Sequence, residues 1–131
     1  MSKPITVLII DDEIHMRRLI NRMLTGAGFQ VVEAASGQEA LDLLNSKTEK
    51  PDLITSDISM PDMDGFEILQ AIKTNPELAN IPIVMLTAMG QLSDANRAKE
   101  MGAVEFVTKP FSALSLIGII RKLTDQIRQQ A

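Results

Sequence analysis

The sequence predicts an α/β fold in which five parallel strands alternate with five helices as a doubly wound, open five-stranded sheet. Three observations predict it. Five short β-branched apolar runs recur along the 131 residues, a helical apolar pattern follows each run, and the βα units are long enough for right-handed crossovers. A chain of this length buries roughly two thirds of the surface its unfolded form exposes, so it needs no disulfide or structural metal to hold a core.

The first strand is Ile5-Thr6-Val7-Leu8-Ile9-Ile10, almost continuously apolar, as a strand covered on both faces should be. Met16, Leu19, Ile20, Met23, Leu24 and Ala27 then recur at helical spacing, with Arg17, Arg18 and Arg22 opposite as a solvated face. Gly26 and Gly28 are placed to end that helix. The second strand runs from about Gln30 to Ala34, and Ser36-Gly37-Gln38-Glu39 reads as a capping box for a helix carrying Ala40, Leu41 and Leu44. Pro51 opens the third unit. Its strand is Leu53-Ile54-Thr55 and its helix spans about Gly65 to Lys73, capped by Asp64 with Glu67 as the reciprocal partner. The fourth strand is Ile83 to Leu86, with Pro82 at its start, where a proline is tolerated. Its helix, about Ser93 to Met101, offers only Ala95, Ala98 and Met101 inward, a thin anchor. The fifth strand is Val104 to Val107. The last helix starts near Ser112 and turns Leu116, Ile117, Ile120 and Ile127 to the core, while Leu114 and Ile119 fall off that stripe. No linker or low-complexity segment interrupts the pattern, so residues 1–131 are expected to form one domain.

Composition narrows the function. With no Cys, disulfides, zinc–thiolate sites and cysteine nucleophiles are excluded, and a lone His15 makes no transition-metal cluster. His15 reads as a surface residue without a catalytic role. Thirteen basic against 17 acidic residues give a net charge of −4, unsuited to direct nucleic-acid binding. Four Phe without Trp or Tyr offer no stacking platform for bases or a flavin. No apolar run approaches the roughly 20 residues of a membrane span, and Met1-Ser2-Lys3-Pro4 lacks the apolar stretch of a signal peptide. A cytoplasmic location is expected.

Open parallel sheets bind ligands outside the carboxyl ends of their strands. There the sequence places Asp11 and Asp12 after the first strand, Asp57 after the third, Thr87 after the fourth and Lys109 after the fifth. Three bare carboxylates packed together repel and call for a cation among them. Oxygen ligands alone favour a hard cation, Mg2+, with Mn2+ as the alternative. Carboxylates beside Mg2+, a lysine and a hydroxyl are the equipment for phosphoryl transfer to an aspartate. Asp62 and Asp64 read as loop and cap residues. Their Asp-Met-Asp-Gly imitates half an EF-hand, but Met60 and Ala71 stand where acidic ligands are needed.

Asp11-Asp12-Glu13, Asp57-Ile58-Ser59-Met60-Pro61-Asp62-Met63-Asp64-Gly65, Thr87-Ala88 and Lys109-Pro110-Phe111 together resemble the receiver domain of two-component response regulators, over essentially the whole chain. The resemblance implies the flavodoxin-like strand order 2-1-3-4-5 of CheY-like proteins. It implies Asp57 as phosphoacceptor, Asp12 as a direct Mg2+ ligand, Asp11 as a ligand through water, and the backbone carbonyl of Ser59 as a further ligand. Thr87 would bond a phosphoryl oxygen, Lys109 would pair with the phosphate, and Phe106 would be the aromatic switch. A cis Lys109–Pro110 bond is expected with them. The implied partners are a sensor histidine kinase or a histidine phosphotransfer protein, then a downstream protein or a second copy docking on the face of the fourth helix, fifth strand and fifth helix. Ser59 and Met89, flanking the site, supply no carboxylate or amide to hold an attacking water. An aspartate-nucleophile phosphohydrolase is the alternative. It would need Asp-x-Asp-x-Thr after the first strand, where this chain has Asp11-Asp12-Glu13-Ile14-His15. A flavodoxin-like electron carrier would need a glycine-rich loop and aromatics that the chain lacks.

Overall fold

A computed structural model describes residues 4–46, 50–61, 63–88, 92–109 and 111–130, with side chains described except at positions 88, 92, 95 and 127–130. The apolar runs form β1 (Thr6–Ile10), β2 (Gln30–Ala34), β3 (Leu53–Asp57), β4 (Ile83–Ala88) and β5 (Glu105–Lys109). Between and after them lie α1 (Ile14–Gly26), α2 (Gly37–Asn45), α3 (Gly65–Lys73), α4 (Leu92–Glu100) and α5 (Ala113–Gln130). All strand pairs are parallel and the order is β2-β1-β3-β4-β5, the doubly wound α/β arrangement the sequence predicts.

Strand alternation divides the interior into two cores. Val7, Ile9, Leu53, Val84, Leu86 and Val107 face Ile20 and Leu24 of α1 and Leu116 and Ile120 of α5. Leu8, Ile10, Ile54, Ile83 and Met85 face the other way, onto α2, α3 and Ala98 of α4. A continuously apolar β1 is thus explained: both of its faces are covered.

The helix starts follow the expected caps in part. Ser36 Oγ accepts from the Glu39 amide (3.1 Å) and Asp64 Oδ1 from the Glu67 amide (2.9 Å). At α1 the cap is Glu13, whose two carboxylate oxygens accept from the His15 and Met16 amides at 3.1 and 2.7 Å. That leaves the preceding aspartates free of the capping role. Gly28, at φ 98°, adopts the left-handed turn that ends α1.

Several surface assignments change. Leu19 is 45% exposed, because the stripe of α1 centres on Ile20 and Leu24 and a neighbouring position lies about 100° away round the helix. Arg17 is not part of a solvated face; its side chain is 13% exposed and ion-paired to Glu33. On α5, Leu114 is 85% exposed as expected, whereas Ile119 packs partly against the α1–α5 core. Ile127 and Ala95 lie outside the described side chains. The thin apolar anchor of α4 is reinforced by cations on rings: the Arg97 guanidinium stands 4.2 Å from the Phe66 centroid and Lys99 Nζ 5.1 Å from that of Phe106.

Among the described residues, one buried polar side chain of the sheet lacks a partner. Thr55, between Ile9 and Val84 in the ladder, is fully buried and its hydroxyl bonds nothing. Thr55→Val removes that desolvated hydroxyl at nearly constant shape and should stabilise the fold by about 1 kcal/mol. Urea denaturation measures it; a variant less stable than the wild type would show that the hydroxyl is satisfied in solution.

Candidate functional site

The carboxyl ends of β1, β3, β4 and β5 come together at one end of the sheet. Asp57, Thr87 and Lys109 are the terminal or near-terminal residues of their strands, which run two residues past the predicted ends, and Asp11 and Asp12 directly follow β1. Carboxylate oxygens of Asp11, Asp12 and Asp57 lie within 4.8 Å of one another. Asp11 is fully buried, Asp57 half-buried and Asp12 exposed.

Local structure fixes each one. Asp11 Oδ1 accepts from the Glu13 amide (2.9 Å), so its carboxylate is turned back over the loop that starts α1. Asp57 Oδ1 accepts from the Ser59 amide (3.2 Å) at the start of the β3–α3 loop. That loop doubles back tightly: the Gly65 amide donates to the Ile58 carbonyl (2.8 Å), and a Cβ at Gly65 would meet Asp57 O and the Ile58 Cα at 2.8 Å. Only glycine lets α3 begin so close to the acceptor strand.

Lys109 completes the group from the edge of the sheet. β5 and β3 are separated by β4, about 9.6 Å across at ordinary strand spacing, and only a long, extended cation closes such a gap. Lys109 Nζ reaches Asp57 Oδ2 at 3.2 Å and Asp11 Oδ2 at 3.7 Å. The protein's own ammonium therefore stands between two of the three carboxylates. It does not satisfy Asp11: Oδ2 is buried with no hydrogen-bond partner. Burial pushes the Asp11 carboxyl above its usual range. The Glu13 amide and Lys109 pull it down, and the charges of Asp57 and Asp12 add smaller upward pushes. For Asp11, desolvation outweighs repulsion by its neighbours. An orphaned buried carboxylate oxygen beside two further carboxylates, with no His or Cys, is a donor set that fits a hard divalent cation.

Thr87 is buried, and strand alternation puts it on the same face as Met85, whose ladder partner is Phe106. Phe106 is half-buried against the α2–α3–α4 core, with Lys99 over its ring. Ser59 is exposed. Asp11, Asp12, Asp57, Ser59, Thr87 and Lys109 lie at this end, whereas Phe106 sits near the start of β5; Asp62, Met89 and Pro110 with its peptide bond lie outside the described residues. An open hollow of about 520 Å3 adjoins Ser59 on the side of Asp64 and Asp94 and does not include the acidic trio. The sequence reading missed Glu13 as cap, although an acidic residue opening a helix is a usable signal. It also missed the contacts of Arg17, which nothing in the local pattern announces.

The raised carboxyl of Asp11 has a definite sign for stability. Its folded-state value lies above the ordinary 3.8, so the fold binds its proton more tightly than the unfolded chain does. The contribution is therefore fully present below that value and is lost as pH rises through the folded one. Asp11→Asn in chelator should melt above the wild type at neutral pH, with the advantage vanishing below about pH 4. Thermal melts across pH check it; a variant that melts lower at neutral pH would mean that Lys109 outweighs burial.

The response regulator receiver domain family model matches residues 7–121. The chain is 37% identical over 116 residues to sporulation initiation phosphotransferase F of Bacillus subtilis, covering 88% of this chain and 90% of that protein. It is 37% identical over 132 residues to response regulator Rre1 of Synechocystis sp., covering 100% of this chain and 55% of that one. The solved chemotaxis response regulator CheY4 of Vibrio cholerae superposes with a TM-score of 0.83 at 32% identity, covering 92% of this chain and 98% of that one. The chain spans about half the length of most of the curated relatives it matches. With the CheY-like sheet order and the acidic trio at its carboxyl end, these matches identify the chain as a response regulator receiver domain of two-component signalling.

Proposed function

We propose that this receiver accepts a phosphoryl group on Asp57 from a phosphohistidine of a sensor histidine kinase or a histidine phosphotransfer protein, in the cytoplasm. The observation that carries the reading is Lys109 Nζ held between Asp57 and Asp11 across β4, beside an orphaned carboxylate oxygen. A relative that this chain nearly spans bears the name of a phosphotransferase.

Asp12, Asp57 and the Ser59 backbone carbonyl, with Asp11 through water, would hold one Mg2+ (Mn2+ as substitute), which supplies charge to phosphoryl oxygens. The chain's own groups do the rest. An Asp57 carboxylate oxygen attacks phosphorus, a P–O bond forms, and the P–N bond to the donor imidazole breaks with its electron pair leaving on nitrogen. Lys109, already 3.2 Å from Asp57, exchanges its carboxylate partner for a phosphoryl oxygen. The Thr87 hydroxyl donates to another. The protein acts on its own aspartate, catalysing only its own phosphorylation and dephosphorylation; no separate substrate is turned over.

Thr87 and Phe106 share one face of β4 and β5. Drawing Thr87 toward the phosphoryl group opens space into which Phe106 settles, altering the α4–β5–α5 face that docks a downstream protein or a second copy. Phosphate shifts this equilibrium only through its different interaction with the two arrangements.

Incubation with Mg2+ and acetyl phosphate should add one alkali-labile phosphoryl group per chain, seen by intact mass. Asp57→Asn should abolish it, and Asp57→Asn labelled to the wild-type level would overturn the assignment. Thr87→Ala should still accept phosphate yet lose most phosphate-dependent association. Leu114→Asp should spare phosphorylation and weaken association. Sedimentation beside phosphorylation stoichiometry checks both, and full association in Thr87→Ala would place the coupling elsewhere.

A further inference from the structure

We infer that Arg17, anchored by Glu33 of the edge strand β2, is a positioning residue for the acidic pair, acting through the main-chain carbonyl of Asp11. The role rests on the metal reading of Asp11, Asp12 and Asp57 given above and adds to it the part that aims two of the three carboxylates.

β1 ends at Ile10, so Asp11 lies just past the last rung of the ladder. Its amide still donates to the Ala34 carbonyl of β2 (3.2 Å). Its own carbonyl, among the described residues, receives no main-chain N–H. Arg17 Nη1 takes that place, donating to Asp11 O at 2.9 Å. The guanidinium is itself fixed, because its Nε donates to Glu33 Oε1 at 2.8 Å. Glu33 is held from its second oxygen by Asn21 Nδ2 (2.6 Å), and Asn21 Oδ1 accepts from the Thr25 hydroxyl (2.8 Å). The chain of bonds runs from α1 to β2 and back to the loop that carries the aspartates.

The Asp11 carbonyl and the Asp12 amide belong to one rigid peptide plane. Holding that oxygen on one plane and the Asp11 amide on the preceding plane fixes the backbone on both sides of the Asp11 Cα, and with it the directions in which the Asp11 and Asp12 side chains leave. The Arg17–Glu33 pair is charge-balanced, so its contribution to the site is orientation rather than field. A planar fork with separate Nε and Nη donors serves two acceptors at once, which a lysine ammonium at the end of a flexible stem does not reproduce. Groups that orient ligands in this way typically alter metal affinity by about tenfold or more.

The test is calorimetric Mg2+ titration of the native chain, with urea stability measured in parallel in chelator. Arg17→Met should bind Mg2+ about tenfold more weakly, and Arg17→Lys should recover little of that loss. Glu33→Gln should weaken binding about threefold, and Arg17→Met with Glu33→Gln should be no weaker than Arg17→Met alone. Arg22→Met, on the exposed side of the same helix, should match the wild type. Should Arg17→Met fail to fold, Glu33→Gln carries the test. Wild-type Mg2+ affinity in the folded variants, with only urea stability reduced, would reduce Arg17 to a structural brace and overturn the inference. No saturable Mg2+ binding by the wild type would instead remove the metal reading itself, and this role with it.

Discussion

A carboxylate buried without a full set of partners is the constraint around which this end of the molecule is arranged. Asp11 is fully covered, and one of its oxygens has no hydrogen bond. A group in that position is costly unless charge is brought to it. The fold supplies some: the Glu13 amide on one oxygen and, at 3.7 Å from the other, an ammonium reaching over from the far edge strand. The remainder is a deficit of positive charge next to Asp12 and Asp57. Because burial contributes more to the raised Asp11 carboxyl than the neighbouring charges do, Asp11 is better described as an incompletely solvated acid than as an anion repelled by its neighbours. Such a site gains from binding a cation, which the proposed phosphoryl transfer to Asp57 would use.

The proposed switch would carry a change at that site outward through the sheet. Alternation along β4 and β5 places Thr87 and Phe106 on the face packed by α2, α3 and α4. Among its described side chains, α4 is held by one buried alanine, two cations over rings, and the Lys99–Glu105 pair at 3.4 Å. Exposed pairs and cation–π contacts of this kind contribute about 1 kcal/mol or less each. A weakly held helix beside a rigid strand is where a small displacement at the site has most effect. α1 and α5, by contrast, share a core of large aliphatic side chains and are suited to hold still.

The fold was legible because its signals are collective. Five apolar runs, each with a helical stripe after it, leave one plausible layering, and the strand-end carboxylates gain meaning from their joint register. Single residues were read less well. Leu19 and Ile119 sit at the borders of their stripes, where helical periodicity does not separate covered from exposed. Arg17 was read as solvent-facing because charge suggests it. Its partners are a strand glutamate 16 positions away and a carbonyl exposed only by the ending of β1. Glu13 gave no signal in the helical pattern, yet its carboxylate takes the cap and leaves those of the aspartates to the site. Strand-end register brings Lys109 to the carboxyl end of the sheet, but its contact with Asp11 spans both β3 and β4, a reach that no sequence pattern encodes.

The central claim is that the incompletely solvated acid cluster is a site for one divalent cation. Amide chemical-shift mapping of the native chain during Mg2+ titration tests it most directly. The account predicts one saturable event whose largest shifts fall at Asp11 to Glu13, Asp57 to Ser59 and Lys109, with smaller ones at Thr87 and Ala34. Shifts spread evenly over the acidic surface, or centred on Asp64 and Asp94 instead, would contradict it.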